Sequence, residues 1–258
     1  MFKGILIHAF GDELIDYYKL ANTAARLATH FLKLPVACIT DAPNKIMGIK
    51  NIIEVESKTK QQRTLVGDKY QYKNDTRTLS YELTPFDQTL LIDSDYLIFN
   101  SELLKWFETD YNFACPLQMN YPGSPPKYYH IYNNIVQAWA TVIYFNKSKQ
   151  SEFIFDYWKL IQDNYEYYGS LLTTYGIYRN DYSLSLALHV MNGYKQPAVE
   201  MPSLLTIPIS TPILDITDDS SFIVAANNKE KFIKLKNMNL HIMNKRELCE
   251  ILKTKSVI

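Results

Sequence analysis

The chain has 258 residues, which is enough for one large α/β domain or two small ones. Its 27 basic and 27 acidic residues balance, and this neutrality counts against a protein that grips a long stretch of nucleic acid. The three cysteines, Cys38, Cys115 and Cys249, lie far apart without metal-finger spacing, which indicates reduced thiols and excludes a disulfide framework.

Apolar patterning in the first hundred residues predicts alternating strands and helices. Strands are expected at residues 3–8, 36–40, 52–55 and 89–92, and helices at 17–34 and 76–83. This β-α-β order is typical of an α/β fold with a Rossmann-like, mostly parallel central sheet flanked by helices. There is no Gly-x-Gly-x-x-Gly motif and no phosphate loop, so dinucleotide-dependent redox chemistry and ATPase chemistry lose their usual support.

The second half of the chain continues the alternation. Strands are predicted at 141–145, 204–209 and 240–243, and helices at 102–107, 152–161, 182–191 and 246–252. Ser101 is expected to cap the first of these helices and Asp181 the third. The segment 119–127 contains Pro and Gly, so we expect a long surface loop, either a lid or a plain connector.

An acidic pair follows the most apolar predicted strand. Asp93 and Asp95 come directly after the run Leu90-Leu91-Ile92, and residues two apart in an extended chain point to the same side. Two convergent carboxylates repel each other unless a positive charge lies between them. A divalent cation that bridges to substrate phosphates is the simplest explanation, and a solvated turn at the strand end is the alternative.

The segment from Arg77 to Asp95, RTLSYELTPFDQTLLIDSD, resembles the GT-A superfamily of nucleotide-sugar-dependent glycosyltransferases, most nearly its glycogenin-like branch. In that branch a basic residue and a helix precede an apolar strand that ends in Asp-x-Asp. The resemblance implies a GT-A-type single domain over 1–258, with a nucleotide-sugar-binding half (1–100) and an acceptor-binding half that carries a late metal and phosphate segment (101–258).

The resemblance also implies roles for individual residues. It makes Asp93, Asp95 and His241 the ligands of Mn²⁺ or Mg²⁺, and it favours a UDP-sugar among the nucleoside diphosphate donors. The donor-binding residues that it implies are Ala9, Phe10, Tyr17, Asp41, Arg77, Ser94 and Lys245. Asp41 serves equally well as a turn cap.

The helix start at Arg179-Asn180-Asp181 matches the position of an acidic residue that faces the reacting sugar in this superfamily. Asp181 is therefore expected to bind the acceptor or take its hydroxyl proton, or only to cap the helix. Arg179 is expected to contact the donor phosphates or to be structural.

The leading hypothesis is thus a metal-dependent glycosyltransferase that moves a hexosyl or pentosyl group to an acceptor hydroxyl. The acceptor is a saccharide, a lipid-linked sugar, a protein or a modified DNA base. A phage-encoded enzyme acting on hydroxymethyl-pyrimidine DNA is one version, with the aromatic segment 165–178 receiving the extruded base. Nucleotidyl transfer and a non-catalytic nucleotide-sugar-binding module are the alternatives.

No apolar run reaches the length of a membrane span, and the start of the chain lacks the pattern of a signal peptide. We therefore expect a cytoplasmic protein, located in the host cytoplasm if it is phage-encoded. The oligomeric state is not indicated by the sequence.

Overall fold

A computed structural model describes residues 1–12, 14–57, 62–65, 68–71, 73–132, 135–172, 178–193, 200–217, 221–225 and 232–255. In chain order the strands are β1 (Lys3–Ala9), β2 (Val36–Thr40), β3 (Asn51–Glu54), β4 (Gln62–Leu65), β5 (Asp68–Gln71), β6 (Gln88–Asp93), β7 (Tyr96–Leu97), β8 (Phe113–Pro116), β9 (Gln118–Asn120), β10 (Lys127–Tyr128), β11 (His130–Tyr132), β12 (Ile135–Val136), β13 (Val142–Asn146), β14 (Glu200–Met201), β15 (Leu204–Ile207), β16 (Ile213–Ile216), β17 (Phe222–Ala225), β18 (Phe232–Leu235) and β19 (Leu240–Ile242). The α-helices are α1 (Tyr17–Leu32), α2 (Ser80–Leu83), α3 (Lys149–Asp163), α4 (Tyr165–Leu172), α5 (Asn180–Met191) and α6 (Lys245–Thr254), and the 3₁₀ helices are Pro43–Lys45, Asn74–Leu79 and Glu102–Glu108.

The central sheet has the strand order β14-β8-β13-β6-β1-β2-β3. Strands β6, β1, β2 and β3 are parallel neighbours, and β13 runs antiparallel to both β6 and β8. Helix α1 packs on one face of the sheet, and α3 and α5 contribute to the core on the other face. The predicted α/β class, with a mostly parallel central sheet flanked by helices, is confirmed.

A second sheet has the order β10-β9-β15-β19-β7 and lies beside the end of β6. The chain passes from β6 in the central sheet to β7 in the second sheet through Ser94 and Asp95 alone. Strand β7 then pairs antiparallel with β19, in a register that sets Tyr96 opposite His241. The turn after β6 is therefore the place where the two sheets meet.

Helix α1 follows the pattern predicted from its sequence. Small and apolar side chains such as Leu20, Ala24 and Leu27 are fully buried on one face, as the 3.6-residue period requires. The Asp16 carboxylate caps the first turn by accepting from the Lys19 N–H at 3.0 Å. The helix ends at Leu32, because Lys33 adopts the left-handed conformation with φ of 55° ahead of Pro35.

Three local predictions need correction. The helix expected at 76–83 is a 3₁₀ helix followed by a single α turn, α2, because buried side-chain bonds from this segment fix its backbone. The loop expected at 119–127 is partly a hairpin of β9 and β10, since its Pro and Gly residues are confined to the turn at 122–126 and its flanks pair. Ser101 makes no capping bond through its side chain; the Asn100 carboxamide oxygen accepts from the Glu102 N–H instead, at 3.1 Å.

Within the described residues, none of the helices combines the length and the apolar character needed to cross a bilayer.

Candidate active site

Three predicted metal ligands converge at the carboxyl end of β6. One ligand atom from each of Asp93, Asp95 and His241 lies within 4.8 Å of the others. Asp93 is the last residue of β6, Asp95 follows in the turn, and His241 is delivered by the pairing of β19 with β7. The backbone fixes this arrangement further, because the Asp95 carbonyl accepts from the Ile242 N–H at 3.0 Å. The two carboxylates suit Mn²⁺ or Mg²⁺, and the imidazole favours a transition ion such as Mn²⁺ over Mg²⁺.

Arg77 lies beneath this cluster and is almost completely buried. Its Nη1 donates to Asp93 Oδ1 at 2.5 Å, and its Nη2 donates to the carbonyl of Ala140. A guanidinium can satisfy a carboxylate and a carbonyl at once because its donors form a rigid fork. Arg77 is therefore part of the buried support of the acidic pair.

Lys245 stands on the other side of the cluster. Its ammonium lies 2.9 Å from Asp95 Oδ2, and His241 Nε2 lies 3.6 Å from the same oxygen. The ring of Tyr17 is beneath the ammonium, with Nζ 5.5 Å from the ring centre. The second imidazole nitrogen of His241, Nδ1, is 3.2 Å from the hydroxyl oxygen of Thr206, which orients the ring.

The pKa values of the two carboxyl groups are shifted in opposite directions. Burial raises the pKa of Asp93 to about 6, against the attraction of Arg77, and repulsion by Asp95 adds to the rise. Burial acts on Asp95 in the same direction, but the Lys245 ammonium and His241 hold its pKa well below the usual range. Although burial opposes it, Asp95 in turn raises the pKa of Lys245 well above its ordinary value.

At neutral pH the site thus contains two carboxylates and two cations and is balanced without any bound ion. Addition of a dication to this buried set would create an excess of positive charge. A diphosphate, which brings two or more negative charges, would restore the balance. The electrostatics therefore favour a metal and a diphosphate that bind together.

His8 is a site residue that we did not predict from the sequence. It is the register partner of Asp93 on β1, and its imidazole bridges Thr76 at 3.2 Å and Ser80 at 2.8 Å. These two bonds hold the segment that presents Arg77. Burial, with Arg77 nearby, lowers the pKa of His8 well below its ordinary value, so the ring is neutral. The only signal in the sequence is that His8, like Asp93, ends an apolar strand.

Asp181 is linked to the cluster through the backbone. Its carboxylate accepts from the Ala140 N–H at 2.8 Å, and the carbonyl of Ala140 is the acceptor for Arg77. The expected capping role is wrong: Arg179 holds the N-cap position of α5, and Asp181 lies inside the first turn. Arg179 itself is exposed, with its guanidinium 5.4 Å from the ring centre of Tyr182.

The remaining predicted donor-binding residues occupy different positions. The side chains of Ala9 and Phe10 are buried at the end of β1, and Ser94 is buried in the turn between the two aspartates. Asp41, at the end of β2, accepts from the Tyr18 hydroxyl at 2.7 Å and pairs with Lys73 at 3.3 Å. These contacts place Asp41 in a polar cluster of its own beside the central site.

The aromatic segment expected to receive an extruded base is described only in part, because residues 173–177 lie outside the described residues. Tyr165 and Tyr178 are the first and last residues of the segment. Both are buried and pack edge to face with ring centres 5.0 Å apart. Neither of these two rings is available at the surface, whereas Tyr167, in the same segment, is 64% exposed.

No family model matches the chain, and no curated protein matches it. Solved structures similar to it include the apo form of the glycosyltransferase GlyE from Streptococcus pneumoniae TIGR4, with a TM-score of 0.47 and 15% identity over 81% of this chain and 47% of that one. Another is the galactosyltransferase LgtC in complex with donor and acceptor sugar analogs, with a TM-score of 0.45 and 14% identity over 72% of this chain and 70% of that one. The chain spans just under half of the length of the pneumococcal structure. Likenesses of this extent do not assign a function, which depends instead on the geometry of the site.

Proposed function

We propose that the chain is a GT-A-type glycosyltransferase that moves a sugar from a nucleoside diphosphate donor, with UDP-sugars as the favoured class, to an acceptor hydroxyl. One observation carries the proposal: Asp93, Asp95 and His241 converge within 4.8 Å at the carboxyl end of a parallel strand, with Arg77 and Lys245 paired to the two carboxylates. Ligands of α/β sheets bind at this edge. The combination of hard metal ligands and paired cations suits a diphosphate.

In this proposal Asp93, Asp95 and His241 hold Mn²⁺ or Mg²⁺. The bound ion would neutralise the charge that develops on the departing nucleoside diphosphate. Lys245 is placed to exchange Asp95 for a phosphate oxygen when the donor enters, since over a quarter of its side chain is exposed. Arg77, buried beneath Asp93, keeps that carboxylate ionised and oriented.

Asp181 is proposed to act on the acceptor side. It is linked to Arg77 through Ala140, whose N–H donates to Asp181 and whose carbonyl accepts from Arg77, and it is not one of the three proposed metal ligands. A carboxylate in that position can accept a hydrogen bond or a proton from an acceptor hydroxyl.

Calorimetry and product analysis test this function. We expect UDP to bind tightly only when Mn²⁺ is present, and Asp95→Asn to abolish this dependence on the metal. Asp156→Asn, an exposed position on α3, is the matched control and should bind as the wild type does. Release of the nucleoside diphosphate together with a product in which the sugar is bonded to the acceptor oxygen identifies glycosyl transfer, whereas attachment of a nucleotidyl group to the product would overturn the proposal.

A further inference from the structure

A groove with one sign of charge runs along the outer face of α1. Its volume is about 1270 Å³, and its walls come from α1, the segment after β2 and the end of α6. Among its lining residues is a single carboxylate, that of Asp16. Six lining side chains are cationic, and we call the cavity the basic groove after them: Lys19, Arg26, Lys33, Lys45, Lys253 and Lys255. In a chain with equal numbers of acidic and basic residues, this is a marked segregation of charge.

The cations are arranged along a line. Lys19, Arg26 and Lys33 recur every seven residues on or at the end of α1, which places them about 10.5 Å apart along the helix axis. Lys45 and Lys253 face them from the two walls.

Carboxylates of the protein neutralise only some of the six cations of the basic groove. Lys253 and Lys255 are paired with Glu250 and Asp215. Among the described residues, the other four cations of the basic groove have no carboxylate within ion-pair distance, and the Lys45 ammonium instead lies 4.7 Å from the ring centre of Tyr18. Four cations are thus available to an external anion.

The shape and lining of the basic groove indicate which class of molecule could bind there. The volume exceeds the roughly 300–1,000 Å³ of small-molecule sites, so a chain fits better than a small anion. A helix that inserts into a membrane interface presents exposed apolar side chains, and the core of a protein interface is typically apolar. Met47 is the one large apolar side chain that the lining exposes.

We propose that the basic groove binds the phosphodiester backbone of a single nucleic-acid strand without reading its sequence. His30 is the one exposed aromatic ring that the lining offers for stacking, so affinity comes mainly from charge and depends steeply on salt. The neutral composition of the chain, which counts against nucleic-acid binding, conceals this local excess. The inference does not rest on the proposed enzymatic function, since binding requires neither nucleotide sugar nor metal.

The groove begins next to the candidate active site. Asp16 lines it at the start of α1, and the following residue, Tyr17, lies beneath the ammonium of Lys245. A strand in the groove would therefore extend from the site along the helix for about 24 Å.

Fluorescence anisotropy with a labelled twelve-nucleotide single-stranded DNA of mixed sequence tests the proposal. With four phosphate contacts, affinity should fall about fifty-fold between 50 and 200 mM salt. Arg26→Gln with Lys33→Gln should weaken binding and reduce this salt effect to about sevenfold. Lys105→Gln with Lys159→Gln removes two exposed lysines outside the groove, and this control should behave as the wild type does.

Four outcomes would overturn the proposal. They are no binding at 50 mM salt, equal weakening by the control pair, tighter binding of a duplex of the same sequence, and binding of phosphatidylserine vesicles or polyglutamate at least as strong as that of the DNA. Because all four substituted side chains are exposed, we expect every variant to fold as the wild type does, and circular dichroism checks this.

Discussion

Replacement of Lys245 by Met should destabilise the metal-free protein and at the same time improve metal binding. The Lys245 ammonium is the closest cation to Asp95, at 2.9 Å, and the Asp95 side chain is only 2% exposed. Loss of one partner of a buried pair typically costs about 3–5 kcal/mol. We expect about 3 kcal/mol, the lower end, because 27% of the Lys245 side chain reaches solvent.

A loss of about 3 kcal/mol should lower the midpoint of thermal unfolding by roughly 6–12 °C in a chain of this size. Mn²⁺ should reverse much of the loss, since it supplies the positive charge that Asp95 then lacks. We expect calorimetry to give the variant at least about tenfold higher affinity for Mn²⁺ alone than the wild type.

Lys253→Met on the same helix is the matched control. Lys253 pairs with Glu250 at 2.6 Å, but both side chains are more than half exposed, so its loss should leave the unfolding midpoint and metal affinity unchanged. The reasoning is refuted if the two variants are equally stable without metal, or if Mn²⁺ stabilises both by the same amount.

The residues that surround the proposed metal ligands, Arg77, His8 and Asp181, lead to three further predictions. Arg77→Lys should cost about 3 kcal/mol of folding free energy in urea titrations, whereas exposed Arg179→Lys should cost nothing measurable. The pKa of His8 is lowered in the folded state, so only the unfolded state gains its proton below about pH 6.5; stability should fall by up to about 1.4 kcal/mol per pH unit there, and His8→Asn should remove this loss. Asp181→Asn keeps an acceptor for the Ala140 N–H and should fold normally, whereas Asp181→Ala should lose about 1 kcal/mol; if Asp181 is the proposed base, release of nucleoside diphosphate by Asp181→Asn falls about a hundredfold.

Local sequence was sufficient for the elements that carry the site. The run Leu90-Leu91-Ile92 is fully buried in β6, and strands β1 and β2 lie within a residue of their predicted bounds. The two aspartates converge as predicted, but Asp95 lies in a turn held by the Ile242 N–H and not in the extended chain on which that prediction depended.

Contacts between distant segments could not be predicted in this way. His241 meets Asp95 because β19 pairs with β7, and His8 meets Thr76 across 68 positions of the chain. Neither pairing leaves a local pattern, and only the family resemblance pointed to His241. For the same reason the sequence could not show that Asp181 binds the backbone of Ala140 instead of capping its own helix.

The passage from β6 to β7 has a mechanical consequence. Asp93 belongs to the central sheet, whereas Asp95 is tied by its carbonyl to Ile242 in the second sheet. The distance between the two carboxylates therefore depends on the relative position of the two sheets. A substitution that shifts one sheet against the other, even far from the ligand-binding edge, would therefore change the position of the Asp93 carboxylate relative to that of Asp95.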